Sequence, residues 1–275
     1  MYFRRIDYWM FFLFVIIFLQ SCFPEDTSAI PARIGISTTM LAAAVHEWAS
    51  TNGDVETITL IPAGSCPGYF DMNAGDLDRL RGIGLFIRHD YQSFLDERLN
   101  SLSKGKIKIF AATSPESYLI PGQFAALVKE TAFLAAEVYP ANKEKWMGNV
   151  VRSQEKLWKL QQTILKRVSR MKGTPVVASE TQADFCNYLG LAVVGTLARP
   201  EDVTPQEYRK LLGLKAKIVI GNLQEGEQAA QSLAEKMGIP AVILSNFPGA
   251  DGYGTSYEQL LENNLRKLEK VCPPR

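Results

Sequence analysis

Cys66 and His89 are the side chains of this sequence that come nearest to a catalytic pair, a thiol nucleophile with an imidazole base. No third side chain that would orient the base is evident. The nucleophile-elbow, H-E-x-x-H and phosphate-loop patterns are absent, and the glycine-rich segment GADGYG (249–254) does not lead from a strand into a helix. The sequence therefore predicts a protein that is not an enzyme.

The remaining cysteines offer little further chemistry. Of the four cysteines, Cys22 belongs to the N-terminal segment, which leaves an odd number for pairing. Cys186 lies in an apolar helical segment, where we expect either a buried thiol or a disulfide with Cys272. No C-x-x-C pair and no cysteine–histidine spacing typical of zinc is present, so we do not expect a structural zinc site.

The N-terminus has the pattern of an exported lipoprotein. Two arginines precede the apolar run WMFFLFVIIFL (9–19), which as a helix is about 16 Å long against a bilayer core of about 30 Å. The run ends in LQSC, which resembles the lipobox in which the cysteine receives a diacylglyceryl group. We expect a signal peptide at 1–21, lipidation of Cys22 and a tether at 22–31. The protein would then be held to a membrane on its extracytoplasmic side.

Charge and length limit the class of protein further. The chain has 30 lysine and arginine residues against 29 aspartate and glutamate residues, so it carries no basic excess for nucleic acid. The hydrophobic content of 47% is typical of a globular protein once the leader is subtracted. About 250 residues remain after the leader, enough for one large domain or two lobes.

Strands and helices alternate in both halves of this body, which is typical of βαβ units. In the first half the predicted strands are RIGI (33–36), VETITL (55–60), LFI (85–87) and KIKIF (106–110). In the second half they are PVVAS (175–179), AVVGTL (192–197), AKIVI (216–220) and PAVILS (240–245). The sequence therefore predicts an α/β protein of two lobes, 32–138 and 173–275, each with a mainly parallel β-sheet flanked by helices.

One long helix is predicted between the lobes, at 139–172. Its apolar residues recur at spacings of three, four and seven, as expected for one face of a helix: Val150, Leu157, Leu160, Ile164, Val168 and Met171. At 1.5 Å per residue, a helix of this length is a rod of about 45–50 Å. We expect this rigid rod to join the two lobes.

The order of these features is similar to that of the zinc/manganese (TroA-like) family of ABC-transporter solute-binding proteins. The matching stretches are ITLIPAGSCP (58–67), GDL (75–77), the helix start at Pro121, the long helix, GLAVVG (190–195) and TSY (255–257) with the helix that follows. The resemblance implies two lobes joined by one rigid helix, with the ligand bound between them near the carboxyl ends of the strands. It also implies an ABC permease and its ATPase as partners.

The metal ligands of the family are typically three histidines and one acidic residue, and the resemblance implies their positions in this sequence. At these positions the sequence departs from the family. The corresponding positions are Gly68, Glu116, Ser179 and Ser245. Only Glu116 is a good ligand for a divalent transition metal, because such metals prefer imidazole, thiolate and carboxylate groups. We therefore do not expect the usual metal site.

Two kinds of site remain open. The first is a rebuilt metal site from residues in or beside the implied cleft loops: Cys66, His89 and Glu116, with Asp71 and Glu180 nearby. The second is a cleft for a metal complex or an organic solute, with stacking and hydrogen-bonding side chains: Tyr69, Phe70, Tyr118, Phe124, Ser179, Glu180 and Ser245. The resemblance implies a metal ion or a metal complex as the solute, in which case a divalent transition metal would be transported ligand, and a non-metal organic solute is the alternative. A third alternative is an adhesin or scaffold lipoprotein that has this fold and binds no ligand.

Overall fold

The computed structural model describes residues 31–49 and 53–272. The expected signal peptide (1–21), the lipidation site Cys22 and, apart from Pro31, the expected tether lie outside the described residues. No helix in the described part of the chain has the length and apolar character needed to cross a membrane.

The first half forms a parallel sheet of four strands in the order β2-β1-β3-β4. The strands are β1 Ala32–Ile36, β2 Val55–Thr59, β3 Leu85–His89 and β4 Lys108–Ala112. The helices of this half are α1 Thr39–Trp48, α2 Ala74–Arg79, α3 Asp96–Ser103 and α4 Pro121–Val138. The inner strand β3 is buried at all five positions, as expected for a parallel strand covered on both faces.

The long helix between the sheets is α5, Lys143–Arg167. A short 3-10 turn lies on either side of it, at Pro140–Asn142 and at Val168–Met171. The prediction of a long central helix is confirmed, although its two ends are tighter turns than an α-helix. Its buried face carries side chains four and seven residues apart: Trp146, Val150, Leu157 and Ile164.

The second half repeats the topology of the first, with a parallel sheet in the order β6-β5-β7-β8. The strands are β5 Pro175–Ser179, β6 Ala192–Leu197, β7 Ile218–Asn222 and β8 Ala241–Leu244. The helices are α6 Glu180–Tyr188, α7 Pro205–Leu212, α8 Gln228–Met237 and α9 Tyr257–Val271. The predicted α/β fold with two parallel sheets is therefore confirmed.

One apolar core runs through both halves and contacts the long helix. It contains Ile34 and Trp48 of the first half together with Val176 of the second. The rings of Phe124 on α4 and Tyr257 on α9 stack across the halves with their centroids 3.7 Å apart. Because Phe124 is fully buried in this core, the expectation that it stacks on a ligand is wrong.

Candidate ligand site between the two sheets

A cavity of about 460 Å³ lies between the halves, where loops from the carboxyl ends of the strands face each other. In each sheet the third strand in sequence pairs with the first, and the second strand lies on the other side of the first. This arrangement creates a switch point at the carboxyl ends, beside β1 and β3 in one sheet and beside β5 and β7 in the other. Ligands of open α/β sheets bind at such points.

Tyrosines and prolines make up half of the residues in the wall contributed by the first half: Pro67, Tyr69, Tyr91, Pro115 and Tyr118. His89, at the end of β3, supports this wall from behind. Its ring lies 5.4 Å from the ring of Tyr91 and parallel to it. Its Nδ1 is 2.9 Å from the Tyr118 hydroxyl, and its Nε2 is 2.9 Å from the Thr38 hydroxyl.

His89 is therefore a buried structural residue. Both ring nitrogens are used in hydrogen bonds within the protein, and the side chain is fully buried. Burial lowers the pKa of His89 to about 3, although the Asp90 carboxylate acts in the opposite direction. The imidazole is thus neutral at ordinary pH and has no free nitrogen to offer to a ligand.

The wall contributed by the second half is polar. It consists mainly of amide and charged side chains that follow strand ends: Arg199, Asn222, Gln224, Glu225 and Asn246. Asn222 ends β7, and its Oδ1 accepts hydrogen bonds from the backbone N–H groups of Gln224 and Glu225, at 2.8 and 3.2 Å. These bonds begin a 3-10 turn, Leu223–Glu225, which places Gln224 and Glu225 at the cavity.

Contacts across the cavity hold the two walls together. The Gln224 side-chain amide donates to the carbonyl oxygen of Ala63 in the first half, with a nitrogen–oxygen distance of 2.8 Å. The rings of Tyr118 and Phe247 lie 6.0 Å apart, and the Arg199 guanidinium lies 5.6 Å from the Tyr69 ring centroid. The cavity is thus bounded by both halves rather than being a groove on one of them.

Of the residues expected at the ligand site, five line the cavity: Cys66, Gly68, Tyr69, Glu116 and Tyr118. Three others, Ser179, Glu180 and Ser245, do not line it. Ser245 is fully buried and donates to the carbonyl oxygen of Phe247 at 2.9 Å, and Ser179 is also buried. Glu180 is exposed, and Phe70 packs on a separate apolar cluster beneath the first sheet.

The rebuilt metal site of Cys66, His89 and Glu116 is not assembled. Within residues 31–49 and 53–272, no group of three or more histidine, cysteine, aspartate or glutamate side chains is placed to hold a metal ion. The physical reason is that His89 is turned into the protein by its two hydrogen bonds. Asp71, considered as a neighbour, is exposed and forms an ion pair with Arg98 at 3.2 Å.

Cys186 and Cys272 are both free thiols in the structure. Of the two alternatives predicted for Cys186, the structure thus has the buried thiol and not the disulfide. Burial raises the pKa of the Cys186 thiol to about 12, to which the nearby Cys272 adds. His46 is exposed on α1, away from the cavity lining.

Several lining residues were not predicted from the sequence: Tyr91, Thr181, Arg199, Asn222, Glu225 and Asn246. The feature of the sequence that could have identified some of them is that polar residues directly follow β5, β7 and β8. Thr181 and Asn246 each lie close to a position that the family resemblance had selected, Ser179 and Ser245. Strand ends indicated loops that line the cavity, while spacing alone did not indicate which side chain faces it.

Two parallel α/β halves with one polar and one aromatic wall around an interlobe cavity define a two-lobed solute-binding receptor. The sequence profile of the family described as "ZnuA: Zinc-uptake complex component A periplasmic" matches residues 34–271, and the chain belongs to this family. Its members are solute-binding receptors of ABC importers, so the prediction that the chain is not an enzyme is confirmed.

Solved structures agree on the fold. A crystal structure of ZnuA is similar with a TM-score of 0.73 and 15% identity, over 89% of this chain and 99% of that chain. The periplasmic zinc-binding protein TroA from Treponema pallidum is similar with a TM-score of 0.74 and 15% identity, over 88% and 99%. A periplasmic metal-binding protein from Candidatus Liberibacter asiaticus gives 0.72 and 15%, over 87% and 99%. A search of curated proteins finds no match.

Proposed function

We propose that this chain is a receptor for a small organic solute, rather than for a bare zinc or manganese ion. The observation that supports this proposal is the cavity itself. Its volume of about 460 Å³ lies within the range of about 300–1,000 Å³ typical of small-molecule sites. Its tyrosine, proline and amide lining is typical of organic ligands, whereas a transition metal requires several nitrogen, sulfur or carboxylate donors.

A metal complex is the second candidate, because two metal-donor side chains do line the cavity. Cys66 would supply a thiolate and Glu116 a carboxylate. Two protein donors leave most of the coordination positions to an organic chelator, whose body would fill the rest of the cavity. The relatives named for zinc or manganese binding are similar in fold, while this sequence has Gly68, Ser179 and Ser245 at the positions that the resemblance assigns to the family's metal ligands.

Thermal unfolding of the purified, reduced protein separates these candidates. A ligand at about 100 times its dissociation constant raises the free energy of unfolding by about 2.7 kcal/mol. We expect no rise in melting temperature with zinc or manganese chloride alone. We expect a clear rise with at least one member of an organic solute library in the presence of EDTA. A rise that EDTA abolishes would indicate the metal complex, and a rise with zinc or manganese alone would overturn the proposal.

The same assay on Tyr118→Ala tests whether the cavity is the binding site. Removing this ring takes away stacking and apolar contact with the solute, and we expect the dissociation constant to rise at least about tenfold. Phe94→Ala removes a ring that is 45% exposed and does not line the cavity, so it serves as the control. Equal affinities in the two variants would place the solute elsewhere.

We also propose that the mature protein is anchored to a membrane through a lipid on Cys22. The LQSC segment after an apolar run supports this proposal. A buried acyl chain contributes about 0.8 kcal/mol per methylene. We expect Cys22→Ala to move the exported protein from the membrane fraction to the soluble fraction, while Cys66→Ala stays with the membrane. Membrane association that persists in Cys22→Ala would contradict the anchor.

A further inference from the structure

We infer that the solute carries a quaternary ammonium group, held by the aromatic rings of the cavity and by the carboxylate of Glu116 rather than by hydrogen bonds. This inference rests on the proposed function, because it names the class of organic solute that the cavity takes. The features that carry it are polar side chains that are already paired within the protein, accessible aromatic rings, and an excess of negative charge.

Polar side chains of the second-half wall form hydrogen bonds with other parts of the protein. The amide nitrogen of Gln224 donates to the Ala63 carbonyl oxygen and to the Ser245 hydroxyl, at 2.8 and 2.9 Å. Its amide oxygen accepts from the backbone N–H of Asn246 at 3.0 Å. The side-chain oxygen of Asn246 accepts from Gln182 at 2.8 Å. These groups are therefore satisfied without a solute.

Hydroxyl groups of the first-half wall are paired in the same way. Ser114 donates to the Asp90 carboxylate at 2.6 Å, and the Tyr118 hydroxyl lies 2.9 Å from Nδ1 of His89. A solute that depends on N–H or O–H groups gains few partners on either wall, and each donor that it buries without an acceptor is unfavourable. A quaternary ammonium group has no N–H to donate, so it avoids this cost.

Accessible aromatic rings supply the attraction instead. Tyr69 and Tyr91 line the cavity and are 68% and 45% exposed. Tyr118 and Phe247 line it from the two halves, with ring centroids 6.0 Å apart. The Arg199 guanidinium lies 5.6 Å from the Tyr69 ring centroid, so one ring of this wall already contacts a cation. Aromatic faces attract cations electrostatically, and a group of such rings is a typical binding site for quaternary ammonium compounds.

His89 leaves these rings available to a cation. It lies behind Tyr91 and Tyr118, with distances between ring centroids of 5.4 and 5.0 Å. Burial lowers the pKa of His89 to about 3, so the imidazole carries no charge at ordinary pH. A positive imidazolium at this position would repel a cation bound at the two tyrosines, and the neutral ring does not.

The charges at the cavity also favour a cation. Among the described lining residues the charged side chains are Glu116, Arg199 and Glu225. Arg199 and Glu225 offset each other, since Nε of Arg199 lies 3.5 Å from Oε1 of Glu225. Glu116 is exposed, and the side chain that bonds to its carboxylate within the described chain is the neutral amide of Gln123, at 3.3 Å. A cationic solute offsets the charge of Glu116, whereas a solute carboxylate or phosphate would add to it.

Isothermal titration of the purified protein with choline and tetramethylammonium chlorides, in the presence of EDTA, tests the inference. The comparison ligands are ethanolamine, whose ammonium group has N–H donors, and the neutral choline analogue in which a tert-butyl group replaces the trimethylammonium group. Tyr91→Leu removes the ring, Tyr91→Phe keeps it, and Glu116→Gln removes the charge while keeping the shape of the side chain. Glu235→Gln is the matched control for Glu116→Gln, because Glu235 is exposed on α8 and does not line the cavity.

We expect choline or tetramethylammonium to bind, and Tyr91→Leu and Glu116→Gln each to weaken that binding about fivefold or more. Tyr91→Phe and Glu235→Gln should stay within about twofold of the parent, and ethanolamine and the neutral analogue should bind at least about tenfold more weakly than the quaternary compound.

The inference is overturned if neither quaternary compound binds, if ethanolamine or the neutral analogue binds as tightly, or if Tyr91→Leu and Glu116→Gln bind like the parent. The proposed function then still stands if another organic solute binds in the presence of EDTA. It fails as well if only zinc or manganese, titrated without EDTA, binds.

Discussion

Replacing Trp146 with alanine is expected to lower the free energy of unfolding by about 3–5 kcal/mol. Trp146 is fully buried on α5, and its ring centroid lies 4.7 Å from that of Trp48. Its indole N–H donates to a carboxylate oxygen of Asp54 at 3.1 Å. The substitution therefore removes a large apolar contact, leaves a cavity between the long helix and the first half, and takes a donor away from a carboxylate.

The matched control lies on the same helix. Trp158 is 61% exposed, so Trp158→Ala changes helix propensity equally and removes almost no buried surface. We expect it to change the free energy of unfolding by no more than about 0.5 kcal/mol. Guanidinium denaturation followed by far-ultraviolet circular dichroism measures both variants. Similar losses of stability in the two variants would show that α5 does not pack as described.

Acidification below pH 6.5 is expected to destabilise the protein by up to about 1.4 kcal/mol per pH unit through His89 alone. The unfolded chain binds a proton at His89 near the ordinary histidine pKa of about 6.5. In the folded protein burial lowers the pKa to about 3. Between these two values the unfolded state binds more protons, so the stability is complete above pH 6.5 and falls as the pH approaches 3.

Comparing the pH dependence of stability between the parent and His89→Gln separates the effect of His89 from that of the carboxylates. The groups that face His89 are the neutral hydroxyls of Thr38 and Tyr118, the ring of Tyr91 and the nearby Asp90 carboxylate. We expect His89→Gln to be less stable at pH 7 but to lose less further stability between pH 6.5 and 4.5. The chain's other histidine provides the control, as His46→Gln on the exposed side of α1 should keep the full slope. Parallel profiles for the parent and His89→Gln would contradict the assignment.

Two strands, β5 and β6, were predicted with their observed bounds, whereas β3 runs on past its predicted end. β5 and β6 have the predicted bounds because β-branched runs begin and end abruptly in both segments. β3 continues past Ile87, its predicted last residue, through Arg88 and His89. Buried polar residues extend it because Arg88 pairs with Asp96 at 2.6 Å and His89 is hydrogen-bonded at both nitrogens.

The candidate site was predictable as a region but not residue by residue. The loops at Cys66, Gly68 and Glu116, which the sequence predicts at the cleft, do line the cavity, and they follow strand ends of the first half. The sequence did not indicate that the Ser245 hydroxyl forms hydrogen bonds with Gln224 and Phe247 inside the protein. The next residue, Asn246, lines the cavity instead. Long-range pairings decide which side chain faces the cavity, and such pairings are not visible in local sequence patterns.

The stacking of Phe124 on Tyr257 has a consequence for how the chain folds. A fragment that contained only the first sheet would leave Phe124 in contact with water, and a fragment with only the second sheet would do the same to Tyr257. Lys156 adds a charged link, because its ammonium group pairs with Glu47 of α1 and Glu258 of α9. We therefore expect heat to melt the two sheets in one cooperative transition rather than one after the other.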